Sequence, residues 1–129
     1  METEAEVIQT IREHLEGLFP RVCPNCGHRF ATLQEFLFLT KRLGPPVSYD
    51  AEQGNWYPLR PIGIVMLANC PCGNTLGISS EGLTILQNWM VLNWARLEAR
   101  RRGMGMRELL GYLHHQICRQ VKAKVGIVG

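Results

Sequence analysis

Two short turns, far apart in the sequence, constrain this chain more than anything else in it. The first is Cys23-Pro24-Asn25-Cys26-Gly27-His28 and the second Asn69-Cys70-Pro71-Cys72-Gly73-Asn74. They hold four of the five cysteines, with 43 residues (27–69) between Cys26 and Cys70. In each turn a proline stiffens the link between two thiols. The glycine after the second cysteine lets the backbone turn back, so that its N–H groups approach sulfur. Two such pairs supply four thiolates, and Zn²⁺ takes four at tetrahedral corners without a ligand-field preference. Cys23, Cys26, Cys70 and Cys72 are therefore read as one structural zinc site joining two parts of the chain. Binding energy at such a site is folding energy. Four sulfurs also leave no open coordination position, which argues against hydrolysis at this metal.

The rest of the composition suits that reading. With 129 residues, 46% hydrophobic and 19% charged, the chain is expected to form a single domain over 1–129. No apolar run approaches the about 18 residues that span a bilayer. The acidic opening METEAEVIQTIREHLEG is unlike a secretory or mitochondrial leader. These features point to the cytoplasm, where clustered cysteines hold metal more often than they form disulfides.

Periodicity predicts four helices. Thr3 and Glu6 form a capping box for the first, about 4–18, with Val7, Ile8, Ile11, Leu15 and Leu18 on one face. His14 falls on the exposed side. Thr32 and Glu35 open the second, about 33–43, closed by Gly44 and Pro45-Pro46. Residues 47–61 are irregular: a short strand Val47–Tyr49, a turn 50–55, then Trp56-Tyr57 at the start of an edge strand, as a cover over the zinc-side core or, alternatively, an exposed aromatic binding surface. The apolar run Ile62–Ala68 and the alternating Thr75–Ser79 make a hairpin with Cys70 and Cys72 at its tip. Ser79 or Ser80 caps a third helix, about 82–102, carrying Leu83, Leu86, Met90, Trp94 and Leu97 on one side. The fourth, about 106–124, places Met106, Leu109, Leu110, Leu113, Ile117 and Val121 on one face. The last two are expected to pair antiparallel over 82–124, with Gly126–Gly129 frayed. Val22 and Phe30 are expected to pack beneath the metal. The fold class is α+β.

The knuckle segments 22–30 and 68–78 resemble the zinc-ribbon group, whose members share CPxCG-type turns. The first turn matches that pattern. In the second, Cys70-x-Cys72 is one residue shorter. The resemblance implies a small β element built around a structural Zn²⁺. It leaves function open, because the group includes nucleic-acid-binding modules, parts of enzymes and protein-interaction modules.

Charge is unevenly spread. Residues 1–22 carry five acids against Arg12 and Arg21, whereas 95–129 carry eight basic residues against Glu98 and Glu108. No HExxH, GxSxG or phosphate-binding glycine loop is present. The adjacent His114-His115 point about 100° apart on a helix and do not form a metal pair. His28 is set aside as a fifth candidate ligand, and Cys118 is read as a buried free thiol. The leading expectation is a non-catalytic zinc protein acting as a protein-interaction or regulatory module, with self-association through helices 82–124. One alternative is nucleic-acid binding through Arg96, Arg100, Arg101, Arg102, Arg107, Arg119, Lys122 and Lys124, which would weaken steeply with salt. Another is a redox or iron-dependent switch, since a single iron also accepts four thiolates.

Overall fold

The structure is a computed structural model and describes residues 3–54, 59, 63–80 and 82–128, with side chains through Lys122. The Trp56-Tyr57 surface and the Lys124 side chain lie outside the described residues.

Helix α1 (Glu4–Glu16) starts at the expected capping box. The Thr3 hydroxyl accepts from the Glu6 N–H, and the Glu6 carboxylate accepts in return from the Thr3 N–H. A two-residue ladder follows, β1 (Arg21–Val22) and β2 (Arg29–Phe30), with the first cysteine turn between them. Its register pairs Arg21 with Phe30 and Val22 with Arg29. Opposed residues share a face. Phe30 is accordingly fully buried, while Val22 goes outward with Arg29 and is 58% exposed rather than beneath the site. Phe36 meets Phe19 tilted and Phe30 edge-on, with ring centroids 5.4 and 5.3 Å apart.

Helix α2 (Leu33–Leu39) is shorter than its sequence pattern. Thr40 turns extended, its hydroxyl donates back to the Phe36 carbonyl at 2.6 Å, and Lys41–Arg42 leave as strand β3. Sheet pairing thus takes the residues that periodicity assigned to a last helical turn. Strand β4 (Val47–Ser48) leads directly into α3 (Tyr49–Glu52), a single helical turn that the sequence reading treated as strand end and loop.

Strand β5 (Ile64–Asn69) is the centre of the sheet. One edge pairs along its length with β6 (Thr75–Ser79), from Val65↔Ser79 to Asn69↔Thr75. The other edge pairs at one end with β3 (Lys41↔Asn69) and at the opposite end with β4 (Ser48↔Ile64). Between those two segments Gly44 has φ 72° and Pro45-Pro46 offer no N–H, so the ladder breaks. Met66, Ala68, Leu76 and Ile78 alternate onto the buried face.

Helix α4 (Ile85–Arg102) begins at Thr84 and not at Ser79 or Ser80. Thr84 and Gln87 form the capping box. Ser80 is occupied elsewhere: its hydroxyl accepts from the Ile64 N–H at 2.8 Å, and the Asn88 amide donates to its carbonyl. The buried side of α4 is Val91, Leu92, Trp94, Ala95 and Ala99. The expected stripe is rotated relative to this, since Leu86 is 80% and Leu97 48% exposed. Gly103, left-handed at φ 65°, caps α4 and turns the chain into α5 (Met106–Val128). This last helix continues through the region expected to fray. It packs against α1, α2, α4 and β4, burying Leu109, Leu110, Leu113, Ile117 and Val121. A cluster ties the far ends together. Arg102 donates to Glu4 at 2.6 Å and Glu98 at 3.0 Å, and the Tyr112 hydroxyl donates to Glu4. The fold is α+β, and no described helix is long and apolar enough to cross a membrane.

Candidate metal centre

Each cysteine pair occupies the tip of an antiparallel hairpin. In the first turn the Cys23 N–H donates to the His28 carbonyl at 2.9 Å and the Gly27 N–H to the Cys23 carbonyl at 2.9 Å. The second turn repeats this with one residue fewer: Cys70 N–H to the Asn74 carbonyl and Gly73 N–H to the Cys70 carbonyl, both 2.8 Å. Gly27 at φ 76° and Gly73 at φ 94° supply the reversal that side-chain-bearing residues avoid. The shortened spacing therefore still closes a knuckle.

Three contacts bring the tips together. Arg21 donates to the Gly77 carbonyl at 2.5 Å, linking β1 to β6. The Asn25 amide crosses to Cys72 Sγ at 3.4 Å, and the Asn74 amide crosses back to Cys23 Sγ at 3.7 Å. These asparagines carry a role that the sequence reading did not assign to them. Their position inside each knuckle was the available signal.

The four sulfurs lie within 4.8 Å of one another. Cys23 and Cys72 are 3.8 Å apart, and Cys26 and Cys70 are 3.6 Å apart. A tetrahedron with Zn–S bonds of about 2.3 Å has edges of about 3.8 Å. A disulfide needs about 2.05 Å, and all four thiols are free. Cys23 and Cys70 are buried and Cys26 and Cys72 exposed, so the set has an inner and an outer edge. The group could hold a metal ion.

The electrostatics fit a cation. The backbone N–H of Cys26, with that of Asn25 and neighbouring thiols, lowers the Cys23 pKa to about 6 and outweighs the opposing effect of burial. The Asn25 amide likewise lowers that of Cys72. Cys70 goes the other way: the Cys72 N–H favours its thiolate, but burial and the three surrounding sulfurs prevail and push it up to about 12. A thiolate at Cys70 therefore needs a positive partner at the centre.

His28 stands outside this set. Its ring lies edge-on to Phe30 with centroids 4.5 Å apart, and its Nε2 is 3.5 Å from Glu35. Cys118 is also outside it, 3.3 Å from His114 Nε2. His14, expected on the surface, is half-buried and donates from Nε2 to the Ser79 carbonyl at 2.8 Å. The basic residues offered for nucleic acid do not form one free strip. Arg101 and Arg102 are paired with Glu98, Arg102 also with Glu4, and Arg107 with Glu52 at 2.7 Å. Arg96 bonds Asn93, and Lys122 sits 5.1 Å over the Phe38 ring. Arg100 and Arg119 meet no carboxylate among the described residues. Compared with protein-family models, curated proteins and solved structures, the chain finds no match.

Proposed function

We propose that this chain is a non-catalytic zinc protein, in which Cys23, Cys26, Cys70 and Cys72 hold one structural Zn²⁺ and the fold serves as a protein-interaction or regulatory module. The observation that carries the reading is the sulfur spacing: 3.6 and 3.8 Å across the two hairpins, against a tetrahedral edge of about 3.8 Å. Four thiolates complete the coordination of zinc, so the ion's work is to clamp the two hairpins. The amide contacts from Asn25 and Asn74 hold the sulfurs in place and disperse their charge.

The interaction role rests on α4. Ile85, Leu86 and Leu97 stand 52%, 80% and 48% exposed on a helix that is also apolar on its buried side. Large apolar groups left on the outer side of a helix favour a protein contact, and a second copy of the chain is the partner proposed for it. Metal analysis of natively purified protein tests the site. One zinc per chain in a colourless sample supports it. Iron, with its visible absorption, would replace zinc in the reading. Less than about half an equivalent in a well-folded sample removes the structural role.

A further inference from the structure

Away from the cysteines, a cleft of about 380 Å³ opens between β3, the end of α2, β5 and α5. Lys41, Arg42 and Lys122 line it together with His114, His115 and Cys118. None of its lining residues is acidic. Lys41 and Arg42 meet no carboxylate among the described residues. Some other cations of this chain are neutralised, as Arg102 is by Glu4 and Glu98 and Arg107 by Glu52, whereas Lys41 and Arg42 stand beside Lys122 on one cleft. Met66 and Ala68 form part of an apolar floor. The cleft is thus concave, cationic at its rim and apolar below, and its volume falls within the range of small-ligand sites.

We propose that this cleft binds a small molecule carrying an oxyanion, phosphate or carboxylate, on an apolar body. The Arg42 guanidinium presents a planar fork suited to two oxygens, and the lysines add point charge. The floor takes the apolar part. The charge of the rim is already felt within the cleft: burial first, and then the charges of Arg42, Lys122 and His115, lower the His114 pKa to about 4. His114 is therefore neutral at pH 7, where it can donate or accept one hydrogen bond without adding charge. Lys122 is poised on the rim by its contact with the Phe38 ring. The proposal does not depend on which metal the cysteines hold.

Cys118 provides a reporter, because it lines the cleft and belongs to no metal set. Its alkylation by neutral iodoacetamide is followed peptide by peptide by mass spectrometry on the full chain. Butyl phosphate, butyrate and n-butanol are the probes. Saturating butyl phosphate or butyrate is expected to slow Cys118 alkylation about tenfold, as for a thiol covered by a ligand held through charge-assisted bonds. Butanol is expected to leave it unchanged. The stronger of the two anions identifies the head group. In Lys41→Ala/Arg42→Ala, both exposed positions, protection is expected to disappear while the melting temperature is retained. Lys122→Ala gives a second, independent loss on a different element. The proposal is overturned if neither anion protects, if butanol protects equally, or if protection survives in both variants. It is also overturned if a short RNA or DNA oligomer protects at lower concentration than the butyl probes, since the rim would then belong to a nucleic-acid surface.

Discussion

Gly63 shows how much one residue decides. Its φ is 102°, and a Cβ placed there would meet Ser80 Oγ at 2.3 Å and Asn88 Oδ1 at 3.3 Å. Its N–H donates to the buried carboxylate of Asp50 at 3.0 Å. Ser80 cannot withdraw cheaply, because its hydroxyl holds the Ile64 N–H at the start of β5. Gly63→Ala is expected to cost at least about 2 kcal/mol, read by urea unfolding, since strained φ and steric clash act together. Nothing in the sequence marked this position apart from other glycines, because the partner that fills its space lies 17 residues onward (63 to 80). The cysteines were the opposite case. Spacing and flanking Pro and Gly were enough to group all four as one candidate set, and the four do lie together. Cys23→Ser and Cys70→Ser are each expected to reduce bound zinc below half an equivalent and to lower the melting temperature. A variant that keeps full zinc would take that residue out of the ligand set.

Among the elements, helix α5 was the most legible. Met106, Leu109, Leu110, Leu113, Ile117 and Val121 were named from period alone; the last five are buried and Met106 is half-buried. Leu113→Ala, at 2% exposure, is expected to cost about 2–5 kcal/mol through lost contact and a residual cavity. Helix α4 was legible in existence and C-terminal end, but not in orientation. Apolar residues cover most of its circumference, so period could not choose the buried side, and the true side includes the small residues Ala95 and Ala99 and the polar Asn88. Helix α2 was over-extended because Lys41–Arg42 prefer the free edge of β5, a long-range pairing with no local signature.

Helix α5 also carries a pH dependence. His114 has its pKa lowered from 6.5 to about 4, by burial first and then by Arg42, Lys122 and His115. Below pH 6.5 the unfolded chain takes up a proton at this position that the folded chain refuses. Stability is thus expected to fall as pH drops from about 6.5 to about 4, and this contribution levels off below that. Discounted for the exposed part of the ring, it amounts to about 1–2 kcal/mol. His114→Gln is expected to flatten the curve in that window, and an unchanged slope would assign it to the carboxylates.

At the scale of the whole molecule, two forces close the structure. One is the core around α5. The other, on the reading proposed above, is a metal clamp on the two hairpins, whose tips are otherwise joined by Arg21 on the Gly77 carbonyl and by the Asn25 and Asn74 amides on sulfur. Chelation is expected to lower the melting temperature strongly and to broaden the transition, because the helical half keeps its own core. Calorimetry with and without chelator checks this. Association through α4, as proposed above, is a separate matter. Leu86→Asp/Leu97→Asp, both at exposed positions, is expected to leave folding intact and to shift any dimer in sedimentation towards the monomer.

The pairing of β3 with the final residues of β5 has one more consequence. Lys41 lies opposite Asn69, the residue immediately before Cys70. The sulfur turn and the cationic lip of the cleft are therefore anchored to the same few ångströms of backbone. Whatever unfastens that turn also slackens the lip, so a molecule seated in the cleft and an ion among the sulfurs would each feel the other's departure.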